Sequence, residues 1–250
     1  MPAERPLVLL TGAAGRIGTA FRQAMGERFR FRLADLRTEG LALTPGGGHE
    51  IVRLDVRDAA AAAEACAGAE AVIHLAADPS PTADWASSLL PVNVNGTLNV
   101  LRGALAAGCR RVVFASSAHA VAGYPPGEVL PADAPPRPIN LYGVSKACGE
   151  ATCACFAARG LSSLAVRIGA YEAPWLHAHP DPHDLRAYLS PRDLNDLLMR
   201  CLVAVDIDYA IVAGVSANHP NRFDLAATRT LLGYAPRDDG FRVFGVTPPS

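Results

Sequence analysis

An apolar run, Leu7-Val-Leu-Leu10, goes straight into Thr11-Gly-Ala-Ala-Gly-Arg-Ile-Gly18, and an amphipathic stretch follows. This order of buried strand, glycine turn and helix constrains the fold more than any other feature of the chain. Glycines at 12, 15 and 18 allow a tight turn, close approach of main chain to a pyrophosphate, and close packing of helix on sheet. The helix start offers free N–H groups and partial positive charge to the phosphates. Gly12, Gly15 and Gly18, with Arg16 and Ile17 between them, are candidate cofactor residues.

The alternation continues. Strands are expected at Leu7–Leu10, Phe31–Ala34, Ile51–Leu54, Ala71–Leu75, Arg111–Ala115 and Ser163–Arg167, with helices near Arg16–Gly26, Asp58–Cys66, Pro91–Ala107 and Leu141–Arg159. Short, continuously apolar strands separated by helices mean a parallel sheet covered on both faces. The fold class is α/β, a doubly wound Rossmann-type sheet, with ligands beyond the carboxyl ends of the strands. After Arg167 the pattern loosens. Residues 170–189, with prolines and three histidines, are expected to form a loop region over the active site. A helix is expected at Asp193–Val203, a strand at Tyr209–Ala213 and a last helix at Arg222–Leu232. The Pro-rich stretch Tyr124–Pro138 is a second long loop. One domain is expected over 1–250: a dinucleotide-binding core to 169, then a small substrate-binding part.

Half of the 250 residues are hydrophobic and the formal net charge is −1, which gives no electrostatic reason for a nucleic-acid or membrane partner. No apolar stretch approaches the ~18 to 20 residues that span a bilayer. The opening Met-Pro-Ala-Glu-Arg-Pro carries an acid before its short apolar run, so a secretory signal is not expected. The six cysteines stand mostly next to Ala inside predicted helices and form no CxxC, so reduced thiols and a cytoplasmic enzyme are expected.

Asp35 closes the second strand, seventeen residues after Gly18. A carboxylate there accepts hydrogen bonds from adenosine ribose hydroxyls and repels a 2′-phosphate, favouring NAD over NADP; Arg37 keeps NADP open. Asp55 and Val56 follow the third strand beside the adenine position, although Asp55 suits a helix N-cap nearly as well. Leu75, Ala76 and Ala77 end the fourth strand with residues small enough for main chain to pass close to the cofactor.

Tyr142 and Lys146 stand one helical turn apart in Leu141-Tyr-Gly-Val-Ser-Lys-Ala. A tyrosine works as general acid–base when its pKa, ordinarily about 10, is brought toward working pH. A lysine on the same helical face and an oxidised nicotinamide both push it that way. Ser116-Ser117 ends the fifth strand, where a hydroxyl can orient the reacting oxygen. His119 is either a substrate contact or a polar residue at a strand end. His177, His179 and His183 invite a zinc reading, but no motif fixes it, and no metal is expected.

The glycine motif, the acidic end of the second strand, Val92-Asn-Val-Asn-Gly-Thr97, Phe114-Ala-Ser-Ser117 and Tyr142-Gly-Val-Ser-Lys146 together resemble the extended short-chain dehydrogenase/reductase superfamily, in its epimerase/dehydratase branch. The resemblance covers most of the chain. It implies Tyr142 as catalytic acid–base, Lys146 as its partner and Ser117 as the substrate-orienting hydroxyl, with Asn93 near the cofactor. It also implies a homo-oligomer paired through the helices around Asn93–Ala107 and Leu141–Arg159. Within that branch the chain looks most like the uronate dehydrogenases, through Ala115-Ser-Ser-Ala-His119, Val166-Arg-Ile-Gly169, Tyr188-Leu-Ser190 and Gly233-Tyr-Ala-Pro236. Those enzymes oxidise the C1 hydroxyl of glucuronate or galacturonate to a lactone with NAD⁺. The chain departs from them at Ala118, where the family has Asn. It departs again in the loop before Tyr188, where His183, with Arg186 three residues on, stands in place of a carboxylate-binding arginine. Two other readings stay open: an isomerase or lyase using bound NAD transiently on a nucleotide-sugar, and a noncatalytic NAD sensor.

Overall fold

The computed structural model describes residues 5–41, 44–172 and 174–249. Residues 1–4, on which the reading of the N-terminus rests, lie outside them. In chain order the strands are β1 (Leu7–Thr11), β2 (Arg30–Asp35), β3 (Glu50–Arg53), β4 (Ala71–His74), β5 (Arg111–Ser117), β6 (Ser162–Ile168), β7 (Ala170–Tyr171), β8 (Tyr188–Leu189) and β9 (Tyr209–Gly214). The helices are α1 (Arg16–Met25), α2 (Ala59–Cys66), α3 (Gly96–Ala106), α4 (Leu141–Ala157), α5 (Pro174–Ala178), α6 (Pro182–Leu185), α7 (Pro191–Val203), α8 (Ala226–Leu232) and α9 (Gly240–Phe244). Seven strands form one parallel sheet in the order β3-β2-β1-β4-β5-β6-β9, and β7 pairs with β8 apart from it. From β1 the chain winds outward one way to β3, then returns to β4 and winds the other way. The crevice therefore opens beyond the carboxyl ends of β1 and β4.

Both faces of the sheet are buried. Val8 and Leu10 of β1 pack with Phe21 of α1 and with Leu194 and Leu197 of α7, while Leu9 turns to Ala62, Val100 and Leu101 on α2 and α3. All of β1, β4 and β5 is buried, which is why these strands read as continuous apolar runs. Each Val or Leu fully removed from water contributes about 1.5–3 kcal/mol.

Three expectations are corrected. The helix expected from Pro91 begins earlier, with wide π-type turns over Trp85–Asn95 that run into α3. Asp84 caps this stretch by accepting from Ser87 N at 2.8 Å. Wide turns take in Pro91, which has no N–H to give. The last expected helix starts at Ala226, not Arg222, because Arg222 and Asp224 bracket a main-chain pairing with Leu130: Leu130 N donates to Arg222 O at 2.9 Å and Asp224 N to Leu130 O at 2.8 Å. The 170–189 segment is more ordered than a plain loop, holding β7, α5, α6 and β8. Its strand pair joins Ala170 to Tyr188 and Tyr171 to Leu189, and its helices are only 5 and 4 residues long, so no local period announces them.

Candidate active site

A cleft of about 1330 Å³ runs along the carboxyl edge of the sheet, from Asp35 and Asp55 at one end to Tyr171, Trp175 and Arg222 at the other. Sites for a single small ligand measure roughly 300–1,000 Å³, so this one has room for a dinucleotide together with a substrate.

At the nucleotide end, Gly12 has φ +69°, and a Cβ there would lie 2.8 Å from Ala76 N. The loop thus passes so close to the end of β4 that only glycine fits. A Cβ on Gly18 would lie 2.8 Å from Ala13 Cα, so α1 seats directly on the loop. Helices α2, α4 and α7 have side-chain caps from Asp58, Asn140 and Ser190, whereas α1 starts at Gly15 with none and with no acid in its first turn. Its first N–H groups are left for an anion. Asp35 accepts from Ala14 N at 2.9 Å and from Arg37 N at 3.0 Å, so the ribose-side carboxylate and the glycine loop are one rigid piece. These residues fit an NAD: a cradle that a Cβ would fill, an uncapped helix start and a carboxylate beside it. Arg16 lines the cleft and donates to the carbonyl of Glu172 at 2.6 Å, bridging its two ends. Ile17, Val56, Leu75, Ala76 and Ala77 also form the wall.

At the chemical end, β5 delivers Ser117 and α4 delivers Tyr142 and Lys146 to the same stretch of wall. The Ser117 hydroxyl stands beside the Tyr142 phenol and favours its ionised form. Lys146, 4 % exposed, donates from Nζ to the Ala115 carbonyl at 2.8 Å, 5.6 Å from the Tyr142 ring centroid. Burial lowers this ammonium to about 8. Burial pushes the phenol above its ordinary value, and the Ser117 hydroxyl offsets this only in part. The acidifying influence expected of Lys146 is therefore weak in the protein alone: the lysine is turned onto a carbonyl, and its own charge is disfavoured by desolvation.

His119 packs edge-on against Tyr142, ring centroids 5.4 Å apart. Asn140 takes the Gly143 N–H at 2.8 Å on Oδ1 and donates from Nδ2 to His119 Nδ1 at 3.0 Å. The helix cap fixes which end of the amide is oxygen, and the amide in turn leaves the ring proton on Nε2. Burial lowers the His119 pKa, favouring the neutral ring.

Residues 8–193 match the NAD-dependent epimerase/dehydratase family. The chain belongs to that family. Two curated relatives from Haloferax volcanii are each 36% identical to it. One is an NAD-dependent glucose-6-phosphate dehydrogenase, matched over 93% of both chains; the other is an L-arabinose 1-dehydrogenase (NAD(P)(+)), matched over 94% of this chain and 98% of its own. Among solved structures, a mutant uronate dehydrogenase from Agrobacterium tumefaciens complexed with NAD superimposes with a TM-score of 0.84 at 32% identity, over 99% of this chain and 92% of its own.

Several family-member residues sit elsewhere than the sequence suggested. Asp55 lines the cleft but does not cap α2, a task that falls to Asp58. Arg57 grips its carboxylate at 2.6 Å and holds it below the usual carboxylate range. Asn93 does not line the cleft. It stands behind the wall, bonded to Asp78 N and O and, at 3.1 Å, to Ser145 Oγ. Ser116 turns its hydroxyl inward to Glu150 Oε1 at 2.6 Å, where Arg167, fully buried, meets both carboxylate oxygens. Ala118 and His183 line the substrate end; Arg186 does not, because its guanidinium bonds to the carbonyls of Pro126, Gly127 and Asn221. His177 pairs with Glu172 at 2.8 Å and packs on Phe244, and no group of three metal-ligating residues gathers among the described residues.

Sequence reasoning overlooked Asn140, His74, Trp175 and Arg222. Asn140 carried a signal, an N-cap residue directly before Leu141. So did His74, a lone polar residue in a buried strand; it bonds to Thr11 Oγ1 at 2.8 Å and Thr97 Oγ1 at 3.1 Å and links the glycine loop to the wall behind Asn93. Arg222 gave none, since its partners are main-chain carbonyls almost a hundred residues upstream.

Proposed function

We propose that the enzyme oxidises the ring C1 hydroxyl of a sugar or sugar acid to a lactone. The observation that carries this reading is the convergence of Tyr142, Ser117 and Lys146 on one wall of the cleft whose other end is the glycine loop. Tyr142, ionised, takes the hydroxyl proton as the C1–H bond breaks. Ser117 orients the same oxygen, and its hydroxyl beside the phenol favours the ionised form. Lys146, anchored on Ala115 O, fixes the Tyr142 face of α4 against β5. His119 offers an Nε2–H donor beside the phenol. NAD⁺, when bound, supplies the acceptor for the hydride leaving C1, so the balance is one hydride to the nicotinamide and one proton to the phenolate. The reading extends to a homo-oligomer in the cytoplasm. It is supported by small outward residues on α4 (Ala151 and Cys155) and by six cysteines that form no disulfide.

The test is the absorbance of reduced nicotinamide when the protein meets NAD⁺ and a panel of neutral sugars, sugar acids and sugar phosphates. The expected outcome is a sugar-dependent signal lost in Tyr142→Phe. Silence across the panel with NAD bound would replace oxidation by a reaction that uses the cofactor transiently. Sedimentation of the same preparation tests the oligomer.

A further inference from the structure

Arg222 is the residue of the substrate end that the reaction leaves unexplained. It lines the cleft yet is 7 % exposed. One terminal nitrogen donates to the carbonyls of Pro125, Pro126 and Glu128 and the other to Tyr124 O at 3.1 Å. A guanidinium has five N–H groups in a rigid fork. These contacts occupy both hydrogens of one terminal nitrogen and one of the other. The second hydrogen of that nitrogen and the Nε–H have no acceptor among the described residues. Nor does Arg222 make an ion pair there. Burial disfavours its charge, a second cation, Arg186, acts in the same direction, and the carboxylate of exposed Glu128 opposes them. Arg186 is likewise without an ion pair among the described residues, and its buried Nε has no hydrogen-bond partner. The two guanidinium groups are fastened to carbonyls of the same 124–128 segment, with only the exposed Glu128 carboxylate opposing them, and the buried Arg222 charge is costly until an anion arrives.

We propose that Arg222 recognises an anionic group on the substrate, a carboxylate or a phosphate, so that the enzyme takes acidic sugars in preference to neutral ones. This rests on the sugar dehydrogenase reading above. Four carbonyls hold the fork in place before the ligand arrives, so little side-chain freedom remains to be lost on binding. Arg186 acts behind it, fastening the 126–127 turn and adding positive potential without facing the cleft. Asp184, the acid at this end of the cleft, does not cancel the arrangement. It is half-buried beside Asp181 and His183, and burial pushes its carboxyl above the usual range.

Calorimetry on the NAD-saturated protein with glucuronate, glucose 6-phosphate and glucose tests the proposal independently of turnover. At least one of the two acids is expected to bind more tightly than glucose, and which one does so distinguishes carboxylate from phosphate. In Arg222→Met the acid-to-neutral affinity ratio is expected to fall about thirtyfold, the loss of charge-assisted hydrogen bonds. Arg222→Lys keeps the charge, loses the fork, and is expected to lower the ratio less. Arg186→Met is expected to lower the ratio too, but less than Arg222→Met, because it removes positive potential and no ligand contact. Glucose binding as tightly as both acids, or Arg222→Met and Arg222→Lys leaving the ratio unchanged, overturns the proposal. Charge-selective binding without NADH formation would overturn the dehydrogenase reading and leave this one standing.

Discussion

The two ends of the cleft are built by different physics. The nucleotide end is assembled from sheet ladders, a glycine turn and an uncapped helix start, all within the first half of the chain. The substrate end is stapled by arginines onto main-chain carbonyls: Arg167 onto Ala132 and Ala134, Arg186 onto Pro126, Gly127 and Asn221, Arg222 onto Tyr124, Pro125 and Glu128. One end is specified by local pattern, the other by single long side chains reaching across the fold. A backbone ladder tolerates many side chains, whereas an arginine staple is lost with one substitution.

The largest expected effect lies where the two ends meet. Tyr142→Phe should lower kcat by about a thousandfold, within the range removed with a general base, and leave NAD affinity unchanged by calorimetry. A matching loss of NAD affinity would show that the ends are not separable. Next comes Arg167→Met, which leaves the Glu150 carboxylate buried without its partner and frees the 132–134 carbonyls. A loss of about 3–5 kcal/mol in denaturant unfolding is expected, and sugar affinity should suffer more than NAD affinity. Equal losses would break the comparison.

Asp35→Ser should act at the nucleotide end alone. With the repelling carboxylate gone, the NADP-to-NAD ratio of kcat/KM should rise by about tenfold, with the order of sugar preference unchanged. The last effect is a pH dependence, at His74. Burial, with Lys146 nearby, lowers it to about 3 from an ordinary 6.5. Between those values the unfolded chain takes up a proton that the folded one refuses, so stability falls as pH falls from about 6.5 toward 3. His74→Asn should flatten that slope by up to about 1.4 kcal/mol per pH unit, read from unfolding at several pH values; an unchanged slope would place the acid sensitivity elsewhere.

The same division decides what the sequence disclosed. Gly12, Gly15, Gly18, Asp35, Ser117, Tyr142 and Lys146 stand in local patterns with a physical reason for their spacing, and the structure brings them all to one cleft. Asp55 as a helix cap failed because Asp58 lies nearer the helix, and both are equally good caps on paper. Arg186 failed for a deeper reason. A cation next to a substrate loop reads as a ligand contact until one knows that the carbonyls of Pro126 and Gly127 are waiting for it. Arg222 stayed silent because nothing in its neighbours records the carbonyls near residue 125. Side chains that bond to main chain leave no partner residue type to look for.

Asn140 carries a consequence of its own. Asp, Ser and Thr start a helix about as well as Asn, but none of them has an N–H to offer His119, while the amide of Asn serves both. Position 140 lies at the intersection of two requirements, and of the four choices of an ordinary helix start only Asn meets them from two separate atoms. A change there intended only to retune the helix would also release the imidazole to flip, and the two properties would drift together under selection.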